Sequence, residues 1–354
     1  MKKWIALLLA AVMMLSLAAC GGSASSTPAA PADGGASSAA PEAPAQSGGT
    51  AALTICGTNG PGDTQSIAHE NFAKALNECG DWAAVAMVSS EMGSTDDVLE
   101  QAMAGAPVIA ATDPARLASY VPEFGILMMP YMFDSYDQLD SLMDTALYQE
   151  WVAKLREQGL VLLTNNCITG FRNYVSNKQV LVPADLNGLK IRTMGSAIAV
   201  NSVNAMGAIA TALNQSEAYN GIETGVVDGG EWQVPTIYSL RMYEVCDHIS
   251  MTQHFLLTGS IVCGAAWYDT LTEQQQKELS ELAVKCYGET KQMVIQAEKD
   301  YVQEMVDKYG VTVDEPDKEA FRQATAYLYS DDATTGGVDF EALRDELYSQ
   351  MGIA

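Results

Sequence analysis

Arg192 closes the short apolar run Leu189-Lys190-Ile191-Arg192 in a chain with 19 basic and 44 acidic side chains. A guanidinium presents a planar fork that matches the two oxygens of a carboxylate. In so acidic a protein, an arginine at the end of a strand is therefore a candidate anchor for an organic anion. Asp113 and Arg116 stand at the end of another strand-like run, Val108 to Thr112, where the ligands of open α/β sheets gather. Taken without context, such arginines are more often members of surface or interlobe ion pairs. The stretch Asp228-Gly229-Gly230 reads first as turn geometry.

Other chemistries have little to stand on. His69, His248 and His254 show no metal-ligand spacing. Cys56, Cys79, Cys167, Cys246, Cys263 and Cys286 are widely scattered without a Cys-x-x-Cys pair, so buried thiols are expected rather than disulfides or a metal site. There is no Gly-x-Ser-x-Gly elbow, Walker loop or Gly-x-Gly-x-x-Gly fingerprint, and no cofactor is expected.

The elements that must position these residues alternate between strand and helix. Strands are predicted at 53–57, 83–88, 108–112, 161–165, 171–176, 189–192 and 208–212. Helices are predicted at 66–76, at 94–104 from a capping box in Ser94-Thr95-Asp96-Asp97, at 196–206 and at 216–224. Such alternation argues for an α/β fold with a mainly parallel sheet. From Thr272 to Tyr309 an apolar stripe continues without proline, interrupted only by Gly288. A single helix there would extend about 57 Å and brace more than one lobe.

The first residues carry a different signal. Lys2 and Lys3 precede an apolar stretch that ends in Leu17-Ala18-Ala19-Cys20, the pattern of an export signal. Its ending resembles the bacterial lipobox, which implies cleavage before Cys20 and lipidation of that cysteine. Residues 1–19 are thus the expected signal and 20–50 a Gly/Ser/Ala/Pro tether too poor in apolar residues to fold. Residues 51–354 are the folded region, expected to form two lobes. Loss of the two lysines leaves 17 − 44 = −27 formal charges, a surface that repels nucleic acid and anionic lipid.

Several separated motifs together resemble the DctP-type solute receptors of tripartite ATP-independent periplasmic (TRAP) transporters. They are Tyr120-Val121-Pro122-Glu123-Phe124-Gly125, Gly170-Phe171-Arg172, the run Asp185 to Arg192, and Val226-Val227-Asp228-Gly229-Gly230-Glu231-Trp232. The resemblance implies a two-lobed α/β fold of the periplasmic-binding-protein kind, a ligand cleft between the lobes and a long helix bracing both. Lobe I would comprise about 51–168 plus 258–297, and lobe II about 169–257 plus 298–354.

It further implies that Arg192 pairs with a ligand carboxylate, that Arg172 assists, and that Asn59, Asp113, Arg116, Gln215, Glu231 and Trp232 line the cleft. Many members of the family have Glu-Asn where this chain has Glu231-Trp232, so the ring is open to two readings: a ligand contact that stacks on the ligand or narrows the pocket, or core packing. The implied partners are a small organic acid anion, the membrane permease subunits, and the membrane itself through lipid on Cys20. The tether suggests the outer face of a Gram-positive cell. The alternatives are a receptor for an ATP-driven importer or sensor kinase, and an enzyme on the same fold.

Overall fold

The structure is a computed structural model that describes residues 50–353. The export signal, Cys20 and all of the tether except Thr50 lie outside the described residues. Nine strands form one sheet: β1 (Ala51–Cys56), β2 (Trp82–Met87), β3 (Val108–Thr112), β4 (Leu160–Ser176), β5 (Lys190–Thr193), β6 (Ile209–Ala212), β7 (Gly229–Gln233), β8 (His248–Gly264) and β9 (Thr312–Asp314). Their order is β2-β1-β3-β8-β4-β7-β5-β6, with β9 pairing β8.

The sheet is mixed, not mainly parallel. β1 runs parallel to β2 and β3, and β5 runs parallel to β6 and β7. Between these two groups, β8 is antiparallel to β3 and β4, and β4 is antiparallel to β7. The two parallel groups are α/β units of the kind that alternation predicts; the antiparallel pair joins them.

β4 and β8 are 17 residues each, enough to span about 56 Å if straight. One end of the pair carries β3, where Ile109 to Thr112 oppose Ser260 to Cys263. The other end carries β7, where Gly229 to Gln233 oppose Arg172 to Ser176. Each end has apolar clusters of its own. Leu53, Ile55, Phe72 and Leu76 pack together at the first, and Val175, Ile222, Trp232, Ile237 and Met305 at the second. These are the two lobes. Register shifts in the β4–β8 ladder fall between Leu162 and Tyr174, in the stretch that passes from one lobe to the other.

The sequence pattern divides β4 into two strands because Asn165, Asn166 and Gly170 interrupt its apolar run. The chain instead stays extended through them. Asn165 Nδ2 donates to Thr258 Oγ1 (3.1 Å), and Ser260 Oγ donates to Asn165 Oδ1 (2.5 Å). β8 is not legible as a strand, since Thr252, Gln253, His254, Thr258 and Ser260 mask its periodicity. All but Gln253 are buried: Thr258 and Ser260 pair with Asn165 of β4, Thr252 and His254 pair with each other, and Gln253 accepts from Lys318.

The helix expected from Thr272 to Tyr309 is two helices, Glu273–Gly288 and Thr290–Tyr309, meeting at Glu289. Asn166 of β4 supplies a cause. Its Nδ2 donates to the carbonyl of Val284 at 2.9 Å, an acceptor that the Gly288 amide would otherwise hold alone. A Cβ on Gly288 would stand 3.0 Å from that same nitrogen, so a glycine there lets the strand's amide approach. The first helix buries Leu279, Ala283 and Tyr287 in the first lobe. The second buries Met305 in the second lobe, so the pair braces both as the single helix was expected to. The closing helix, Phe340–Met351, returns to the cluster of Phe124 and Trp151.

Candidate functional site

Arg192 projects from β5 into a cavity of about 240 Å³ between the lobes. Its side chain is almost fully buried, yet no carboxylate among the described residues lies within ion-pair distance. Nε donates to the Leu213 carbonyl at 3.0 Å. Nη1 is buried without a hydrogen-bond partner. Burial, with the nearby charge of Arg172, pulls its pKa from the ordinary arginine range down to about 9. At neutral pH it remains a cation, buried at the cavity wall.

A tryptophan partly fills the role of a partner. The guanidinium carbon lies 5.1 Å from the centre of the Trp232 ring, within the range of an attractive cation–π contact. Trp232 reaches it because its ring folds back over Gly230, the register neighbour of Arg192. Any Cβ on Gly230 would sit 2.2 Å from ring atoms. Trp232 is fully buried and does not line the cavity; it backs the arginine instead of facing the ligand space.

Arg172, on β4, is differently placed. Its fork is closed on Glu231 of β7: Nη2 meets Oε1 at 2.6 Å, Nε meets Oε2, and Nη2 also donates to the Glu231 carbonyl. The antiparallel pairing of β4 with β7 brings the two together across 59 positions of sequence. Glu231 also accepts from Thr193 Oγ1 at 2.7 Å and lies 3.4 Å from His254 Nε2. Burial alone would raise its pKa, but the Arg172 charge and the His254 contact outweigh burial and lower it to about 2. Glu231 does not line the cavity, whereas Arg172 does.

Arg116 is held from two sides. Nη1 donates to Asp113 Oδ2 at 2.5 Å and Nε to Asp96 Oδ1 at 2.8 Å. Asp113 also caps the short helix that carries Arg116, accepting from the Arg116 amide at 3.0 Å. Both line the cavity with Asp96.

Asn59 and Gln215 close the cavity from opposite lobes. Gln215 opens the Gln215–Glu223 helix of the second lobe, and its Nε2 donates to Asn59 Oδ1 (2.7 Å) and to the Thr58 carbonyl (3.2 Å) of the first. Asn59 in turn donates to Asp63 Oδ1 at 2.9 Å. Six of the eight expected residues thus line one cavity, and Glu231 and Trp232 stand directly behind it.

Sequence reading missed Gln65, Thr169, Gln233 and Thr258, which also line the cavity. Gln233 donates to Thr169 Oγ1 at 3.0 Å. The period of two along a strand, counted from Glu231, points to it; the others carry no signal without the β4–β8 pairing. Among the described residues no cluster suits a metal ion, and all six cysteines are free, five of them buried.

The family model for bacterial extracellular solute-binding proteins, family 7 (DctP), matches residues 56–334. The C4-dicarboxylate-binding periplasmic protein of Vibrio cholerae is 28% identical over 251 residues, 69% of this chain and 75% of that one. A TRAP periplasmic solute-binding protein of Actinobacillus succinogenes, solved with L-galactonate bound, superposes with a TM-score of 0.80. It is 27% identical and covers 85% of this chain and 99% of its own. An apo open structure from Escherichia fergusonii, at 29% identity and covering 84% and 99% of the two chains, gives 0.71. At comparable identity the ligand-bound form is the better match, in keeping with the hydrogen bonds from Gln215 across the cleft. The matched family covers most of the chain, with the arginine-bearing cleft inside it: the protein belongs to bacterial extracellular solute-binding protein family 7, the solute receptors of TRAP transporters.

Proposed function

We propose that Arg192 anchors a compact organic carboxylate in the interlobe cavity, and that the closed receptor delivers it, chemically unchanged, to a TRAP membrane permease. The observation that carries this reading is the buried, unpartnered Nη1 of Arg192 at the cavity wall. A cation there is costly to the protein by itself and becomes favourable when an anion meets it. The cavity is smaller than the roughly 300–1,000 Å³ usual for drug-sized ligands, which suits a small acid. The galactonate bound by the Actinobacillus receptor is of that class.

Capture proceeds by closure. The ligand favours the form in which Gln215 reaches Asn59, and so shifts the population toward it. Arg172 supports the site through Glu231, keeping β4 and β7 in register behind the cavity. The receptor works outside the cytoplasmic membrane, and we place it on the outer face of a Gram-positive cell, held by lipid on Cys20. Mass spectrometry of the membrane-extracted protein should find the lipid on that residue, and Cys20→Ser should release the protein.

Titration calorimetry with organic acids tests the anchor. Arg192→Ala should cost about 3–5 kcal/mol of binding, because the ligand carboxylate would be left buried and unpaired. Arg192→Lys should recover little, since an ammonium lacks the planar fork. Wild-type affinity in either variant would sink the assignment.

A further inference from the structure

Three arginines reach the cavity, but they do not offer a ligand three charges. Arg172 is closed on Glu231, and Arg116 is held between Asp113 and Asp96. Arg192 alone has a buried nitrogen without a partner and no carboxylate at ion-pair distance. Arg192 is therefore the one cation of the three without a close counter-charge. Beyond Arg192 and the closed pair of Arg172 with Glu231, the wall sets Asp96, Asp113 and Glu217 against Arg116 alone, an excess of negative charge that would repel a second negative group brought in by a ligand. A doubly charged ligand would bury its second charge without a counter-charge, which is strongly unfavourable.

The rest of the wall is neutral and polar. Asn59, Gln65, Thr169, Gln215, Gln233 and Thr258 present amides and hydroxyls. Such groups both donate and accept, as ligand hydroxyls do. Each of these groups has a partner within the protein but keeps further donor or acceptor capacity, so a carboxylate at Arg192 with hydroxyls along the remaining wall matches this arrangement better than an unfunctionalised chain.

Resting on the anchor assigned above to Arg192, we propose that the receptor is selective for hydroxylated monocarboxylates and discriminates against dicarboxylates and phosphate monoesters. The discrimination lies in Asp113 and Asp96, which neutralise Arg116 and so deny a second anion its partner. Asp113 is here a specificity-determining residue, not a ligand anchor.

The test is titration calorimetry on the full chain at pH 7.5 and fixed ionic strength with L-galactonate, succinate, monomethyl succinate and glycerol 3-phosphate. L-galactonate should bind best. Monomethyl succinate should bind at least tenfold more tightly than succinate, since the two differ chiefly in one charge. Asp113→Asn keeps the helix cap and frees one side of Arg116. It should narrow the ratio between monomethyl succinate and succinate by roughly three- to tenfold, and adding Asp96→Asn should narrow it further.

Succinate or glycerol 3-phosphate binding as tightly as the monoanions, and still lost in Arg192→Ala, would overturn the selectivity while leaving the receptor reading intact. An unchanged ratio in Asp113→Asn would overturn the role of that residue. Failure of every acid to bind the wild type would overturn the carboxylate anchor itself, and the selectivity with it.

Discussion

Two buried arginines stand on strands that flank β7, and they meet opposite surroundings. Arg172 has a carboxylate, a backbone carbonyl and the strand pairing of β4 with β7 around it. Arg192 has one carbonyl and the face of a tryptophan. The first charge is consumed by the architecture; the second is kept for something else. Burial therefore does not by itself mark a functional arginine, and the useful signal is burial without a counter-ion.

That contrast can be broken most forcefully at Glu231. Glu231→Ala leaves Arg172 buried and unpaired, and should lower unfolding free energy by about 3–5 kcal/mol in chemical denaturation. A loss below about 1 kcal/mol would mean that Arg172 finds solvent or another partner, and the two arginines would no longer be distinct. The same group makes the fold acid-sensitive. Its pKa is depressed in the folded state, so its contribution is present above the unfolded value of 4.5 and is lost as pH falls toward about 2.

At Arg192 the expected sign is reversed. Arg192→Met removes an uncompensated buried cation and should leave the unliganded protein as stable as wild type or more stable, by about 1–2 kcal/mol, while abolishing ligand binding. A clear destabilisation in thermal melts would show that the guanidinium is structural after all.

The pH dependence sharpens the same point. Because the Arg192 pKa is lowered to about 9, affinity for an organic acid should be flat through neutral pH and fall as pH rises beyond about 9. Stability of the unliganded protein moves the other way. Above about 9, and up to the ordinary arginine value, the folded state binds fewer protons than the unfolded chain, so stability from this group rises over that window. Calorimetry and melts across it measure both slopes.

The smallest effect belongs to Trp232. Trp232→Phe keeps a ring but weakens the cation–π contact, and should reduce affinity by about 0.5–1 kcal/mol. A loss comparable to that of Arg192→Ala would mean that the ring, and not the guanidinium, dominates recognition.

Local rules made much of this readable in advance. Ser94 caps its helix with Asp97 returning the hydrogen bond, and β3, β5 and β6 lie within a residue of where the apolar runs put them. Arg192 was visible because a strand end in an acidic chain is an unusual place for it. The closure of Arg172 on Glu231 was not visible, because it depends on a pairing across 59 residues. The same is true of the break at Glu289, which answers to Asn166 more than a hundred residues earlier. Of the alternatives open for Trp232, burial behind the arginine rests on a detail of close packing that the sequence does not show: Gly230 gives the ring room to fold back.

The bent helix and the two long strands also limit how the lobes can move. The chain crosses between them in β4, in β8, near Glu289, and again between Phe321 and the closing helix. Pulling the lobes directly apart would have to stretch all of these backbones at once. Turning about a line through the crossings asks only for small changes in backbone torsion at each. Such a linkage favours turning over separation, so, on the proposed role of Arg192, a permease that senses the distance between two points on the receptor surface reads the state of the cavity.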